Sequence, residues 1–446
     1  MRKGGCMNFL KALSRTKLYW GLIAIFLIGV LSSPLTSSGR NIFLSSGNLL
    51  DVLRQVSTTG LIATGMTAVI LTGGIDLSVG SLMAICTVVC AMLLTVPGDT
   101  AALYLGLPAV GLAVLVVGAA AVRFVFLNIE KSRAGVTHIR DIQLDRTRGT
   151  VLPAAAGIVL CALVLSFLLP QMQTKFGVLG VLLVAPAVGL MFGAVNGVII
   201  VVGRLQPFIV TLAMMVTALG IARLTAGQNN AVLPVYTGSN ATADFDMLRQ
   251  LVFGIVPMPG IFFIVAILLY GAVLRFTPFG RYVYAIGGNE EAARLSGINA
   301  GRVKIVTYAV SGLLAGIAAV LYVAQYRQGK PDAGAGLELD AIAAVVIGGT
   351  SLMGGRGSLA GTFCGVLIFG LLSNILQLHN INSNLQLVLK GVIIIGTVLV
   401  QERNAYDLLA QLRLPGASRR PAQGDTSVEE RTSRETLSIT MGGKKK

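Results

Sequence analysis

The sequence predicts an all-α, polytopic helical membrane protein of about 10–12 transmembrane helices, with glycine-rich broken segments and both termini in the cytoplasm. Three observations carry that prediction. Charged residues make up only 12% and hydrophobic ones 54%, at a mean hydropathy of +0.79, whereas a soluble globule carries about 25% charged residues. The apolar residues fall in runs near bilayer length, separated by polar breaks. Lys and Arg gather on one side of the membrane those runs define.

Candidate spans run over 18–35, 60–76, 79–97, 101–127, 151–170, 178–202, 205–226, 251–274, 303–325, 339–353, 359–377 and 385–401. The first follows a basic stretch (Arg2, Lys3, Lys11, Arg15, Lys17), as a signal peptide would. Its run from Leu18 to Leu35 exceeds a typical signal core and Pro34 follows Ser32-Ser33, so it reads as an uncleaved span. With the N-terminus inside, loops 128–149 and 275–302 are cytoplasmic, and the inner side holds 27 Lys and Arg against seven outside. This is the positive-inside pattern, so the net charge of +16 reports topology and not nucleic-acid binding. The domain expectation is a transmembrane domain over 1–401 and a disordered cytoplasmic tail over 402–446. Within the first, 98–177 reads as an accessory insert of two spans and a cytoplasmic loop.

Five cysteines (Cys6, Cys86, Cys90, Cys161, Cys364) lie scattered without C-x-x-C or histidine partners and read as small packing residues, with no metal site. No G-x-x-x-x-G-K-[ST], G-x-S-x-G or H-E-x-x-H occurs, so the chain lacks a phosphate cradle and is not expected to be an enzyme or to bind a cofactor itself.

Four passages remain that could carry function. Gly73-Gly74-Ile75-Asp76-Leu77-Ser78-Val79-Gly80-Ser81 interrupts an apolar run. Asp76 either caps the following helix at a tight cytoplasmic turn, through the Ser78 and Val79 amides, or faces a cavity or partner at membrane depth. Gly189, Gly193 and Gly197 stand four apart beside Asn196, a pattern that lets another helix approach closely, with Asn196 able to bond across the contact or line a path. The stretch from Gly336 to Ser358 contains Asp340, Gly348, Gly349 and Arg356. It reads either as a discontinuous span or as an inner hairpin, with Asp340 leaning toward a helix cap. In the cytoplasmic loop, Asn289 is a good N-cap, Glu290 and Glu291 suit a first helical turn, and Ala292, Ala293, Arg294 and Leu295 continue it to a stop at Gly297. Leu295 and Ile298 are able to face a partner. By itself this island is either a capped loop helix or a docking element.

The wording of these passages resembles the permease subunits of bacterial ABC importers for ribose, galactose, xylose and similar sugars. Ala285 to Ile298 resembles their coupling-helix ("EAA") segment, and Gly73–Ser81 the signature GGIDLSVGS. Arg204–Leu212 is similar to RLPPFIVTL, with Gln206 in place of the first proline, and Glu338–Ser358 is similar to ELDAIAAVVLGGTS…GGRGS. The resemblance covers most of the chain outside the insert and the tail. It implies a bacterial inner-membrane subunit that forms the path for a pentose or hexose. The implied partners are a separate ABC ATPase that binds the ATP, a soluble sugar-binding protein and a second copy of the permease, all in membrane lipid. Asn289 to Gly297 is implied to dock on the ATPase. Gly73, Gly74, Asp76, Ser78, Asn196, Asp340, Gly348 and Gly349 are candidates for the path or for helix breaks. The competing readings are an ion-coupled secondary transporter, for which Asp76 is the strong acidic candidate, a related ABC permease for nucleosides or branched-chain amino acids, and a purely structural membrane protein, which would leave the island and the glycine breaks unexplained.

Overall fold

The computed structural model describes residues 19–97, 106–116, 151–168, 174–227 and 231–402. The basic N-terminal stretch, loop 128–149 and nearly all of the tail therefore lie outside the described residues. The chain divides into Met1–Val398, described below, and Leu399–Lys446, of which only the first residues are described.

Helix α1 (Tyr19–Ser32) is followed by α2 (Ser46–Leu71), α3 (Val79–Thr95) and the short α4 (Gly106–Val116). Then come α5 (Leu152–Leu168), α6 (Val178–Gly203), α7 (Pro207–Ala226) and α8 (Met258–Phe276). The stretch 275–302 supplies α9 (Pro278–Gly288) and α10 (Glu290–Leu295). The remainder is α11 (Ala300–Tyr326), α12 (Leu337–Ile347), α13 (Leu359–Leu378) and α14 (Ser383–Glu402). Among the described residues α6, α7, α8, α11 and α13 are each long and apolar enough to cross a membrane. Two-residue strands make two small ladders: β1 (Leu233–Pro234) pairs with β4 (Gln328–Gly329), and β2 (Leu251–Val252) with β3 (Val256–Pro257).

Two elements differ from the sequence expectation for identifiable reasons, and a third resolves a choice the sequence left open. Helix α2 begins well before residue 60: Ser45 caps it by accepting from the Asn48 amide, and Asn48 and Asn374 exchange side-chain amide hydrogen bonds of 3.1 and 2.7 Å. That pairing lets a polar stretch, which broke the apolar run, stay helical against α13. Leu251–Pro257, apolar in letters and expected to open a span, is instead a hairpin. Phe253 at φ +52° and Gly254 at φ +70° turn it, and Phe253 is 95% exposed. Finally, α12 and α13 lie antiparallel, with Gly348 against Gly361 and Ala344 against Gly365. Of the two readings left open for this stretch, the structure has the hairpin and not the discontinuous span, and Arg356 is exposed at its turn.

The core forms where backbones touch. Gly189, Gly193 and Gly197 of α6 lie against the backbone of α11 at Gly312, Tyr308 and Ile305, and Gly316 of α11 lies against Pro186. The four-residue glycine spacing is thus a packing stripe, met by glycines of α11 whose pairing the spacing alone could not name. A Cβ at Gly193 would overlap the Tyr308 carbonyl, and overpacking of this kind costs about 1–3 kcal/mol. Gly193→Val is expected to lower the melting temperature of the detergent-solubilised protein by several degrees, whereas Gly220→Val, at an open position on α7, is expected to change it little.

Candidate functional site

Between α2 and α3 the chain leaves helical geometry at Thr72–Ser78, with Gly73 at φ +77° supplying the turn. Asp76 is fully buried there. Its Oδ1 accepts from the Ser78 amide (3.1 Å) and the Ser78 hydroxyl (2.6 Å), and its Oδ2 accepts from the Ser311 hydroxyl of α11 (3.1 Å). The cap reading holds in part: Ser78 N–H is a donor, but Val79 N–H is not among the donors to Asp76. The cap is also buried within the bundle. Ser311 lies eleven residues beyond the start of α11, about 16 Å at 1.5 Å per residue. Asn196, also fully buried, donates from Nδ2 to Ser78 Oγ (2.9 Å), and its Oδ1 has no partner among the described residues. The Ile75 carbonyl accepts from Thr211 Oγ1 of α7 (3.2 Å) and from Tyr308 OH of α11 (3.5 Å). Ser311, Tyr308 and Thr211 were not picked out from the sequence, where each stands in a mostly apolar helix with no motif around it.

The hairpin between α12 and α13 meets this break. Gly355 N donates to the Leu71 carbonyl at the end of α2 (3.0 Å), and Gly354 sits against the Gly73 amide. Gly287, near the end of α9, lies against both Leu71 O and Gly355 N, and Tyr284 OH donates to the Gly357 carbonyl (3.0 Å). Gly73 therefore belongs to one contact with this hairpin and α9, whereas Gly74 lies against the Tyr308 hydroxyl of α11. Gly348 packs on α13, and Gly349, exposed at φ +85°, shapes the turn that follows. Asp340 corrects its expectation. It makes no side-chain cap of α12, and its Oδ2 pairs instead with Lys390 Nζ of α14 (2.8 Å), which also lies 5.2 Å from the Phe369 ring.

The island forms as its residue types dictate. Asn289 Oδ1 accepts from the Ala292 amide (2.9 Å), which caps α10. At the other end Gly297, at φ +79°, donates to Arg294 O (2.9 Å) and Ile298 N to Ala293 O (3.0 Å), a Schellman ending. Ala293 is buried, Ile298 is packed against the core, and Leu295 is 85% exposed while Glu291 and Ala292 are also exposed. Of the two residues expected to face a partner, Leu295 is free to do so. Glu290 bonds Arg294 (2.7 Å) and Lys304 of α11 (2.6 Å). Burial opposes its charge, but the hydrogen bond and charge of Lys304, then those of Arg294, outweigh it and hold the carboxyl below its ordinary range. A carboxyl lowered on folding contributes stability that is complete above its ordinary value and lost as pH falls through the folded one, so this anchoring is intact at neutral pH.

A bundle of apolar helices with backbone breaks packed glycine on glycine, buried polar side chains at those breaks and a capped helix exposed in the basic-side loop together define a polytopic transport permease. The chain matches, over residues 48–139 and 143–398, the family model described as branched-chain amino acid transport system / permease component. It belongs to that permease family. The match runs through most of 98–177, the stretch read from the sequence as an insert. The chain is 35% identical to the ribose import permease protein RbsC of Escherichia coli (strain K12) over 386 residues, 86% of this chain and 92% of that protein. It is 35% identical to RbsC of Bacillus subtilis (strain 168) over 383 residues, 86% and 92%. The fructose import permease protein FruF of Bifidobacterium longum (strain NCC 2705) is 29% identical over 420 residues, 91% of this chain and 93% of that protein. No solved structure matches the chain. The sequence reading as a multi-pass inner-membrane ABC-importer permease, a transport component and not an enzyme, holds.

Asp76→Leu would strand the Ser78 amide and the hydroxyls of Ser78 and Ser311, at about 1–3 kcal/mol for each buried group left unpaired. Asp76→Asn keeps an acceptor in place. The yield of folded protein in membranes, followed by fluorescence-detected gel filtration, is expected to fall further for Asp76→Leu than for Asp76→Asn. Equal yields would show that these hydrogen bonds do not hold the break.

Proposed function

We propose that this chain forms the membrane path of an ATP-driven importer for a monosaccharide, pentose or hexose, delivered by a soluble binding protein. It works as a homodimer, with α10 docked on a separate ATPase subunit. The observation that carries the reading is α10 itself: a helix fixed at both ends and by Ala293, with Leu295 left 85% exposed and its neighbour Gly287 set against the ends of both glycine breaks. Movement of the ATPase would in this way reach Thr72–Ser78 and the α12–α13 hairpin together.

The family description names branched-chain amino acids, whereas RbsC and FruF, which align along nearly their whole lengths, are named for ribose and fructose import. That weight supports a sugar. An ion-coupled mechanism would ask Asp76 to exchange a proton or cation, but its carboxylate is already engaged by Ser78 and Ser311. Asp340 is similarly engaged, by Lys390.

The test is ATP hydrolysis by the permease in lipid with the ATPase and binding protein encoded beside it, over a panel of ribose, xylose, galactose and fructose. Stimulation by one loaded binding protein is expected, and failure of the ATPase to co-purify would sink the importer reading. In the same preparation, Gly297→Pro removes the N–H that bonds Arg294 O and demands a φ near −65° where the chain has +79°. Glu291→Lys puts a cation in the first turn, against the helix dipole. Both variants are expected to insert normally and to lose sugar uptake. Wild-type uptake in both would remove α10 from the mechanism.

A further inference from the structure

Helix α11 carries a stripe of three polar contacts that join the cytoplasmic loop to the interior. Lys304, Tyr308 and Ser311 are spaced i, i+4, i+7 and so lie along one side of the helix. Lys304 Nζ bonds Glu290 of α10 at 2.6 Å, Tyr308 OH reaches Ile75 O at 3.5 Å and Ser311 Oγ donates to Asp76 at 3.1 Å. The Lys304 side chain is 17% exposed, more sheltered than a surface pair, and joins elements 14 residues apart in sequence. Between Lys304 and Ser311 the helix has little freedom to bend on its own, because Gly312 and Tyr308 meet the backbone of α6 directly.

We propose that Lys304 is a positioning residue of the transport cycle. It fastens α10 to α11, and this stripe carries a displacement of α10 to the Thr72–Ser78 break. The proposal rests on the reading of α10 as the ATPase dock. Lys304 contacts neither nucleotide nor sugar in this scheme; it acts through Glu290 on one side and through the body of α11 on the other.

The test uses the assembled permease, ATPase and binding protein in lipid, and reads three quantities separately: ATPase co-purification, ATP hydrolysis, and uptake of radiolabelled ribose, xylose, galactose or fructose. Lys304→Gln and Lys304→Met remove the charge, the second keeping the apolar stem. Each is expected to retain the ATPase and to lower sugar moved per ATP by about five- to tenfold, the lower end of ordinary coupling effects. Lys304→Arg keeps a cation facing Glu290 and is expected to retain most of the coupling that Lys304→Met, which keeps the apolar stem alone, loses. Unchanged coupling in Lys304→Gln and Lys304→Met, or Lys304→Arg no better than either, would overturn the proposal. Coupling lost in Tyr284→Phe but kept in the Lys304 variants would overturn it too and assign transmission to α9. Leu295→Asp separates the underlying reading: retention of the ATPase by that variant would remove α10 as the dock, and this proposal with it, whatever Lys304 does.

Discussion

A helix broken inside a bilayer exposes backbone groups that no water satisfies, and in this protein one carboxylate resolves much of that problem. Asp76 accepts both the amide and the hydroxyl of Ser78, the residue just before α3, and receives Ser311 from α11. Ser78 Oγ in turn accepts from Asn196 of α6. Two helices, α6 and α11, are thereby tied to one short turn that does not itself form regular structure. Among the described residues no cation pairs with Asp76, so the stabilisation comes from hydroxyls, an amide and the start of α3, whose dipole favours negative charge. Such a carboxylate is expensive in an apolar interior unless every oxygen is engaged, and both are.

Hydroxyls of Thr211 and Tyr308 take the Ile75 carbonyl, and elsewhere at the break backbone meets backbone at contacts lined by glycine. Gly355 N–H on Leu71 O requires the two chains to touch without intervening side chains, and Gly287 and Gly354 at the same contact allow it. The same device repeats between α6 and α11 and between α12 and α13. Lipid supplies no hydrophobic drive for helix association, so close van der Waals approach must do that work. Small residues at these contacts therefore serve packing and flexibility together: they permit close approach, and they leave no interlocked side chains to disengage if the surfaces slide.

What the sequence disclosed divides along the range of the interaction. Features set within a few residues were legible: the Asn289 cap, the stop at Gly297 and the capping tendency of Asp76 all follow from local backbone chemistry. So was the membrane class, because composition and Lys/Arg placement report it without tertiary detail. Long-range partners were not legible. Asp340 and Lys390 are separated by fifty positions, and nothing in either neighbourhood names the other. The hairpin of α12 and α13 reads identically to an interrupted span, since both are apolar runs divided by glycines. Apolar letters also misplaced Leu251–Pro257, because a hairpin and a membrane helix draw on the same residues when only seven are read.

Helix α10 shows why local encoding would matter for the docking role proposed for it. Six residues are far too few for a helix to persist by itself in water, where nucleation is unfavourable and even good formers need about 12–15 residues. It persists because each end is satisfied, by Asn289 Oδ1 at one and the Gly297 and Ile298 amides at the other, and because Ala293 and the Glu290–Lys304 pair hold it to the bundle. A partner meeting this surface would find Leu295 already presented and would not have to order the loop at its own expense. Preorganisation of this kind removes an ordering term from binding. It also makes the helix a stiff lever, since a segment that melted under load would absorb displacement instead of passing it on. The same contacts that keep α10 folded would therefore give it the rigidity that the proposed transmission to α11 needs.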